Sequence, residues 1–372
     1  MFVKINLLIL ISLLLFPFLL YSQESGKNVE KIILRHADSL LGTRSPGMQV
    51  ETYSGNVVFV QGDVTVKTNT AKHFQSRNYL ELRGNVRIYQ DDMVLRAPEI
   101  DYNGNSGIAK ARKGVEIVDR ETQLTASEGV YSTKTHIAEF RKEVIIDDDS
   151  STIFAEEIIH NRDTKVSRAY GDVVVQGKHT NSLLNSDTVI YKPNDDYTLA
   201  TGNPLLYQID TVRRENETVL DTLSIISNIM EAYRGDTVET YVFDKNVEIT
   251  RDEVAARADS ATYDKRKGIM RLFKSPVVWY DSTQLFAEST VVYIKDNKLN
   301  RIHAKGKAFS GSRDTLNARR IDQLSGAEII MDFAADTVSG IVSSGNAKSL
   351  YFLESEETAD GAARNGADTI LI

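Results

Sequence analysis

The chain has no cysteine among its 372 residues. That absence excludes disulfide scaffolds, thiolate zinc sites, iron–sulfur clusters and cysteine catalysis together. It also excludes a lipid anchor built on a cysteine behind an export signal. No basic block occurs, and acidic side chains outnumber basic ones 52 to 44, a net charge of −8; a sequence-independent nucleic-acid binder does not have this balance. There is no HExxH, no Gly-x-Ser-x-Gly and no glycine-rich phosphate loop, so the common signatures of zinc peptidases, serine hydrolases and nucleotide enzymes are missing. Hydrophobic residues make up only 41% of the chain, yet 16 Tyr and 13 Phe argue against wholesale disorder, which depletes aromatics.

What is present begins with one apolar run, Leu7 to Leu20, broken only by Ser12 and Pro17. Lys4 precedes it and Ser22-Gln23 follows, so residues 1–22 read as an export signal with a cleavage position after Ser22. The run is shorter than the ~18–20 residues of a spanning helix; an uncleaved anchor is the alternative. The working chain is expected outside the cytoplasm. At 372 residues it exceeds a single conventional core, which leaves two domains or an elongated repetitive fold.

A repeat decides between them. A valine-x-valine or valine-x-isoleucine strand follows a turn-like pair at Gly62-Asp63, Gly84-Asn85, Lys113-Gly114, Lys142-Glu143, Gly171-Asp172 and Lys245-Asn246. Val86, Val115, Val144 and Val173 are separated by 29 residues each, as are Val247 and Pro276. A second marker, alanine followed five residues later by tyrosine, stands 11 residues after the valine at Ala97, Ala126 and Ala258. Each unit reads as short strands of period 2 joined by turns at the Gly-Asp, Gly-Asn and Lys-Gly pairs. Pro204 and Pro276, two of only six prolines, replace the valine at a strand start, where a missing N–H is tolerated. Val29 to Leu41 fits a first repeat better than an amphipathic helix. The Pro204–Val247 step is 43 residues instead of 29, the excess forming a polar insertion around Asp210–Asp221. The expected layout is a signal over 1–22, repeats over 31–204, a repeat with a polar insertion over 205–246, further repeats over 247–352 and an irregular tail over 353–372.

No constellation for catalysis or metal binding emerges. His36, His73, His136, His160, His179 and His303 lack ligand spacing, and His73 and His160 fall on the tyrosine marker, where a half-buried sheet position is the simpler reading. Asp147-Asp148-Asp149 lacks the spaced pattern of a calcium loop and suits a solvated hairpin turn. Glu128, Glu156 and Glu157 offer carboxylates for acid–base work, but acidic residues recur there along the chain (Glu99, Asp259, Glu288), as on an outward face. No cofactor is expected. The alternation instead places Val57, Phe59, Val64, Val66, Val86, Ile88, Val115, Ile117, Val144, Ile146, Val173 and Val175 on one inner stripe. Closed walls make that stripe a plain core; splayed walls make it an apolar groove for a lipid tail.

The segment Tyr53-Ser54-Gly55-Asn56-Val57-Val58-Phe59-Val60-Gln61-Gly62-Asp63-Val64-Thr65-Val66 resembles the opening signature of the OstA-like (LptA-like) lipopolysaccharide-transport proteins. Gly84-Asn85-Val86 and Ala258-Asp259-Ser260-Ala261-Thr262-Tyr263 follow the same grammar, whereas Thr68 to His73 lack the aspartate and tyrosine of the family's second strand. The resemblance runs over Lys31 to Phe352, at about twice the length of a minimal member. It implies an elongated antiparallel β-jellyroll, V-shaped or taco-like, whose interior shields the lipid A acyl chains of lipopolysaccharide on a periplasmic bridge to the outer membrane. It further implies edge-strand pairing with other OstA-like domains or head-to-tail self-association. Ten such units give a rod of about 50–100 Å. Two other readings of the repeat are a carbohydrate-active parallel β-helix enzyme and a structural or adhesive surface solenoid.

Overall fold

The computed structural model describes residues 30–45, 48–120, 122–214, 217–235, 237–313, 320–334, 337–352 and 369–371. The export signal expected over 1–22 lies outside them, as do residues 353–368 of the expected tail. Among the described residues, 29 strands form one sheet, interrupted only by turns and the single-turn 3-10 helices Gln75–Arg77 and Pro193–Asp195. Neighbouring strands pair antiparallel along the whole chain. The all-β, antiparallel jellyroll is therefore observed, and a parallel β-helix is excluded.

The strand Tyr79–Gln90 shows how one sheet encloses a core. Its first half, Tyr79–Arg83, pairs with Glu99–Asn103, its second half, Val86–Gln90, pairs with Met93–Ala97, and the register skips Gly84-Asn85. Both skipped residues are left-handed, with φ of 80° and 50°. Two successive left-handed residues bend the strand, so its halves lie in two facing walls. We call the wall holding Tyr79–Arg83 the first and the wall holding Val86–Gln90 the second. The same pair recurs at Gly55-Asn56, Lys142-Glu143, Gly171-Asp172, Gly202-Asn203, Lys245-Asn246, Lys274-Ser275, Gly306-Lys307 and Gly345-Asn346. These pairs are thus corners where the chain passes from one wall to the other, inside a strand at Gly84-Asn85 and between two strands at Gly202-Asn203, and not the turns expected from the sequence. Left-handed φ is the common demand that draws Gly and Asn to both places. One 29-residue unit is one passage over the corner and back.

The row of corners forms a spine, and the next strand crowds it. At Gly171, with φ of 75°, an added Cβ would lie 2.7 Å from Glu156 Oε2 and 2.9 Å from Glu156 Cβ. At three lysine corners the amine reaches the acidic residue of the neighbouring strand: Lys142 to Glu128 at 2.7 Å, Lys274 to Asp259 at 2.5 Å and Lys307 to Glu288 at 2.8 Å. Lys113 reaches Glu99 in the same way at 2.8 Å. These hydrogen bonds hold the Glu99 and Glu128 carboxyls below their ordinary range. The recurring carboxylates are spine ion pairs, exposed and individually weak; Glu157 likewise pairs with Arg141 at 3.1 Å.

The interior lies between the walls. Leu80, Leu82, Ile100 and Tyr102 of the first wall meet Val57, Phe59, Val86 and Ile88 of the second, none more than 1% exposed. Phe59 packs edge-on against Tyr53 and His73 across the gap, at ring-centroid distances of 5.6 and 5.4 Å. The free hairpin ends of each wall form two lips opposite the spine. With about twenty half-strands per wall at ~4.8 Å, the body runs roughly 95 Å.

The sheet passes without a break through the long step. Ser182–Asn185 pairs with Leu205–Gln208, and Leu223–Ile226 pairs with Glu248–Arg251. Much of the extra length is one hairpin, Leu205–Arg214 and Glu217–Ile226, with 10 residues in each arm. The hairpin Val115–Asp119 and Thr122–Ala126 in the same wall has 5. The insertion therefore projects beyond the second lip. At the other end, Thr369–Leu371 is a strand paired with Leu350–Phe352, not irregular chain.

The spine generates a stability prediction. Gly171→Ala combines left-handed strain with a clash against Glu156, and should cost about 1–3 kcal/mol. Urea unfolding followed by circular dichroism checks it; an unchanged midpoint would contradict this account of the corner.

Candidate functional site

The corner fixes the depth of each side chain, so residues 29 apart are comparable. Phe59, Ile88, Ile117 and Ile146 occupy one such position at 0, 0, 6 and 4% exposure, and Val175, the next, is only partly buried. The walls part along this series. Between them lies a cavity of about 370 Å³ lined by Val175, Leu184, Leu206 and Ile225 of the second wall and by Val189 and Phe243 of the first. A second cavity, of about 720 Å³, has an apolar floor of Ile117, Leu124, Phe140 and Ile146. Ile153 and Tyr191 border both. Together they form a chamber in the middle of the body.

The lips explain why the chamber lies there. At the N-terminal end, hydrogen bonds lace them shut. Tyr102 Oη donates to Gln61 Oε1 at 2.7 Å, and Gln61 Nε2 donates to the Gly104 carbonyl at 2.8 Å and the Glu30 carbonyl at 2.6 Å. Ile32 is buried beside them, its N–H held by Asn78 Oδ1 at 2.9 Å. One repeat on, Tyr131 Oη donates to Gln90 Oε1 at 2.9 Å and Gln90 Nε2 to the Thr133 carbonyl at 3.0 Å. In the third repeat the fastening is ionic. Arg162 Nε reaches Asp119 Oδ2 at 2.8 Å, and a second Arg162 N–H donates to Tyr131 Oη at 3.1 Å. In the fourth, Asp148 Oδ1 is occupied by the Ser150 and Ser151 N–H groups, at 2.8 Å each. Beyond it the bonds run along each lip, as from His179 to the Asp149 carbonyl, Asn194 to the Thr164 carbonyl and Arg266 to the Gly235 carbonyl. Tyr280 and Phe333, in edge contact at 5.0 Å, bring the walls together again towards the C-terminus.

Burial raises the proton affinity of Tyr102, Tyr131 and Tyr191 above that of ordinary phenols, so they act as hydrogen-bond donors near neutral pH. Tyr241, under the open stretch, is held far above its usual range by burial and by Glu239. Burial lowers the His73 and His160 imidazoles below their ordinary value; His160 Nδ1 lies 2.9 Å from Ser167 Oγ. Among the described residues no cluster of three or more metal-ligating side chains occurs. Asp147-Asp148-Asp149 sits at a hairpin turn as its own cap.

All twelve residues of the expected stripe lie in the strands that face the interior, and the structure divides them. Val57, Phe59, Val64, Val66, Val86, Ile88, Val115, Val144 and Val173 are buried between the walls. Ile117 and Ile146 line the larger cavity and Val175 the smaller. Sequence reading missed the principal lining, namely Leu184, Leu206, Leu223, Ile225, Met230 and Phe243. A signal for it was present. The near-lip position runs Val64, Met93, Thr122, Ser151, Thr180, and its partner across the hairpin runs Gln61, Gln90, Asp119, Asp148, Gly177. Apolar residues give way to hydroxyls, and the lacing amides end, where the walls part.

Comparison with known proteins gives two results. A family described as OstA-like protein matches residues 29–122 and 93–156, which bears out the resemblance over the laced reach and the first part of the chamber. One matching solved structure is LptH, the LptA homologous periplasmic component of the lipopolysaccharide transport device from Pseudomonas aeruginosa. It is 17% identical, with a TM-score of 0.25 over 30% of this chain and 73% of that one. No curated protein matches.

Two expectations follow. Phe59→Ala in the closed reach should cost about 3–5 kcal/mol, whereas Leu184→Ala at the chamber should cost under about 2, because its site is already partly open; urea midpoints decide, and equal losses would contradict a chamber. Because His160 binds its proton less readily folded than unfolded, stability is retained above about pH 6.5 and falls as pH drops through that value. His160→Asn should lessen the loss between about pH 7.5 and 5.5, measured by thermal melts.

Proposed function

We propose that this chain, OstA-like over residues 29–156, is a non-enzymatic periplasmic carrier that holds the lipid A acyl chains of lipopolysaccharide between its walls on the way to the outer membrane. The observation that carries the reading is an apolar chamber open sideways along a lip, framed by closed reaches on both sides. Carrying an acyl chain through water exposes it at about 0.8 kcal/mol per CH₂, and a slot of Val, Leu, Ile and Phe removes that cost along the route. With a net charge of −8, the protein holds an anionic lipid chiefly by its tails.

The ends of the body supply the partner surface. The strands Ile33–His36 and Ser39–Ser45 form its N-terminal edge, where Leu40 and Leu41 are 60 and 70% exposed. An uncovered edge of this kind favours pairing with another OstA-like domain or with a second copy head to tail. An acid–base enzyme is the weaker reading, since Glu128 and Glu157 are engaged in separate ion pairs with Lys142 and Arg141.

A photo-reactive amino acid at Leu184, used in living cells that make lipopolysaccharide, should give a lipopolysaccharide adduct, and one at Val57 should give none. Absence of adducts from Leu184, Val175 and Ile225 together would refute the reading.

A further inference from the structure

The Arg162–Asp119 bond occupies a singular place. The two fastenings before it are neutral amide–phenol contacts, and the bonds next after it run along each lip. It is the boundary of the lacing and it spans the larger cavity, which both residues line. The Arg162 side chain is only 10% exposed, against 26% for Asp119. A guanidinium carries five N–H donors. Asp119 and Tyr131 use two of them, so further donors remain on a group that faces the chamber. Tyr131 is fixed in turn by Gln90, which holds the guanidinium in place whether or not Asp119 remains bound. The opposing lip carries Asp91, Asp92 and Asp119 against one cation, Arg120, which is paired with Asp92 at 3.2 Å, and Lys165 borders the cavity on the side of Arg162. An anion arriving there is repelled by that lip and received at Arg162.

We propose that Arg162 is a headgroup-binding residue and that its bond to Asp119 is an exchangeable latch. An amphiphile seated in the open stretch moves towards the N-terminus when a phosphate of its headgroup replaces the Asp119 carboxylate on the guanidinium. The exchange conserves a charge-assisted pair, and phosphate suits the planar donor fork at least as well as carboxylate. Freed of Arg162, the second lip moves away and the cavity over Ile117 becomes open to the acyl chains. A lipid lacking the anionic group has nothing to offer the guanidinium, and it stays in the open stretch. The inference rests on the carrier reading and adds to it which part of the lipid is recognised, and where.

The test uses full-length protein carrying p-benzoylphenylalanine at Val175 or at Ile117. The probes are bis-phosphorylated lipid A, dephosphorylated lipid A, and dephosphorylated lipid A with added inorganic phosphate. Bis-phosphorylated lipid A should label both positions. Dephosphorylated lipid A should label Val175 alike and Ile117 roughly tenfold less, the worth of one charge-assisted hydrogen bond. Free phosphate should not restore that labelling, because its group is not attached to the chain that must advance. The double variant Asp119→Asn with Arg162→Gln, which leaves no buried charge unpaired, should label Ile117 equally with all probes. Since the natural chain has no cysteine, Asp119→Cys with Arg162→Cys can be bridged selectively by a bis-maleimide. Bridging should abolish labelling at Ile117 and preserve it at Val175. Equal labelling of Ile117 by both lipids in the unmodified chain, or labelling that survives the bridge, would overturn the latch. Failure of every lipid to label Val175 would instead overturn the carrier reading and the latch with it.

Discussion

The strand corner is the constraint on which the rest of the structure depends. Recurring pairs of left-handed residues, such as Gly55-Asn56, Gly84-Asn85, Lys142-Glu143 and Gly171-Asp172, fold a single antiparallel sheet in half along its length. Each strand then contributes to both walls, and the two walls share one spine. The sheet cannot drift in register without misplacing a corner, because positive φ favours the Gly and Asn found at most corners and the neighbouring strand already crowds the glycines there, as Glu156 does at Gly171. The spine therefore fixes which side chains face inward and at what depth. The lips, at the far ends of the same strands, are fixed by nothing but their own contacts.

That asymmetry makes a carrier possible. Near the spine, Val57, Val86, Val115, Val144, Val173 and Val247 are buried, so the fold stays anchored where the walls part. At the lips, closure depends on a few polar residues. Where Gln61 and Gln90 reach across, the interior packs as an ordinary core; from Asp119 onward it holds cavities floored by the same kinds of residue. Hydrophobic burial stabilises the laced reaches, and the middle keeps apolar surface free for a ligand to cover. The projecting hairpin Leu205–Ile226 lies beside the open stretch, with Leu206, Leu223 and Ile225 at its base lining the cavity.

Much of this was legible in the sequence. The 29-residue step and the valine–alanine offset gave the strand periodicity, and Val86, Ile88, Val115 and Ile117 gave the inward face. The signature Tyr53–Val66 gave the family resemblance. Corners and turns look alike in the sequence because both demand positive φ, and only long-range pairing separates them. The chamber is not legible in the sequence for a different reason. Alternation reports which face is apolar, but it is blind to the distance between walls, and that distance is set at the lips by single residues. The change from Val64 and Met93 to Thr122, Ser151 and Thr180 carries the information, though it acquires meaning only once these positions are known to border a mouth. Arg162 has no repeat counterpart at all, and its role depends on Asp119, 43 positions away.

The central claim is that the middle of this body holds acyl chains, and native mass spectrometry of the protein purified from cells that make lipopolysaccharide tests it most directly. The account requires a species with bound lipopolysaccharide or a fragment containing lipid A, lost when Leu184 and Ile225 are both replaced by Asp and retained when the exposed Leu40 and Leu41 of the N-terminal edge are so replaced. Protein that carries no lipid, or lipid retained by the chamber variant but lost from the edge variant, would contradict it.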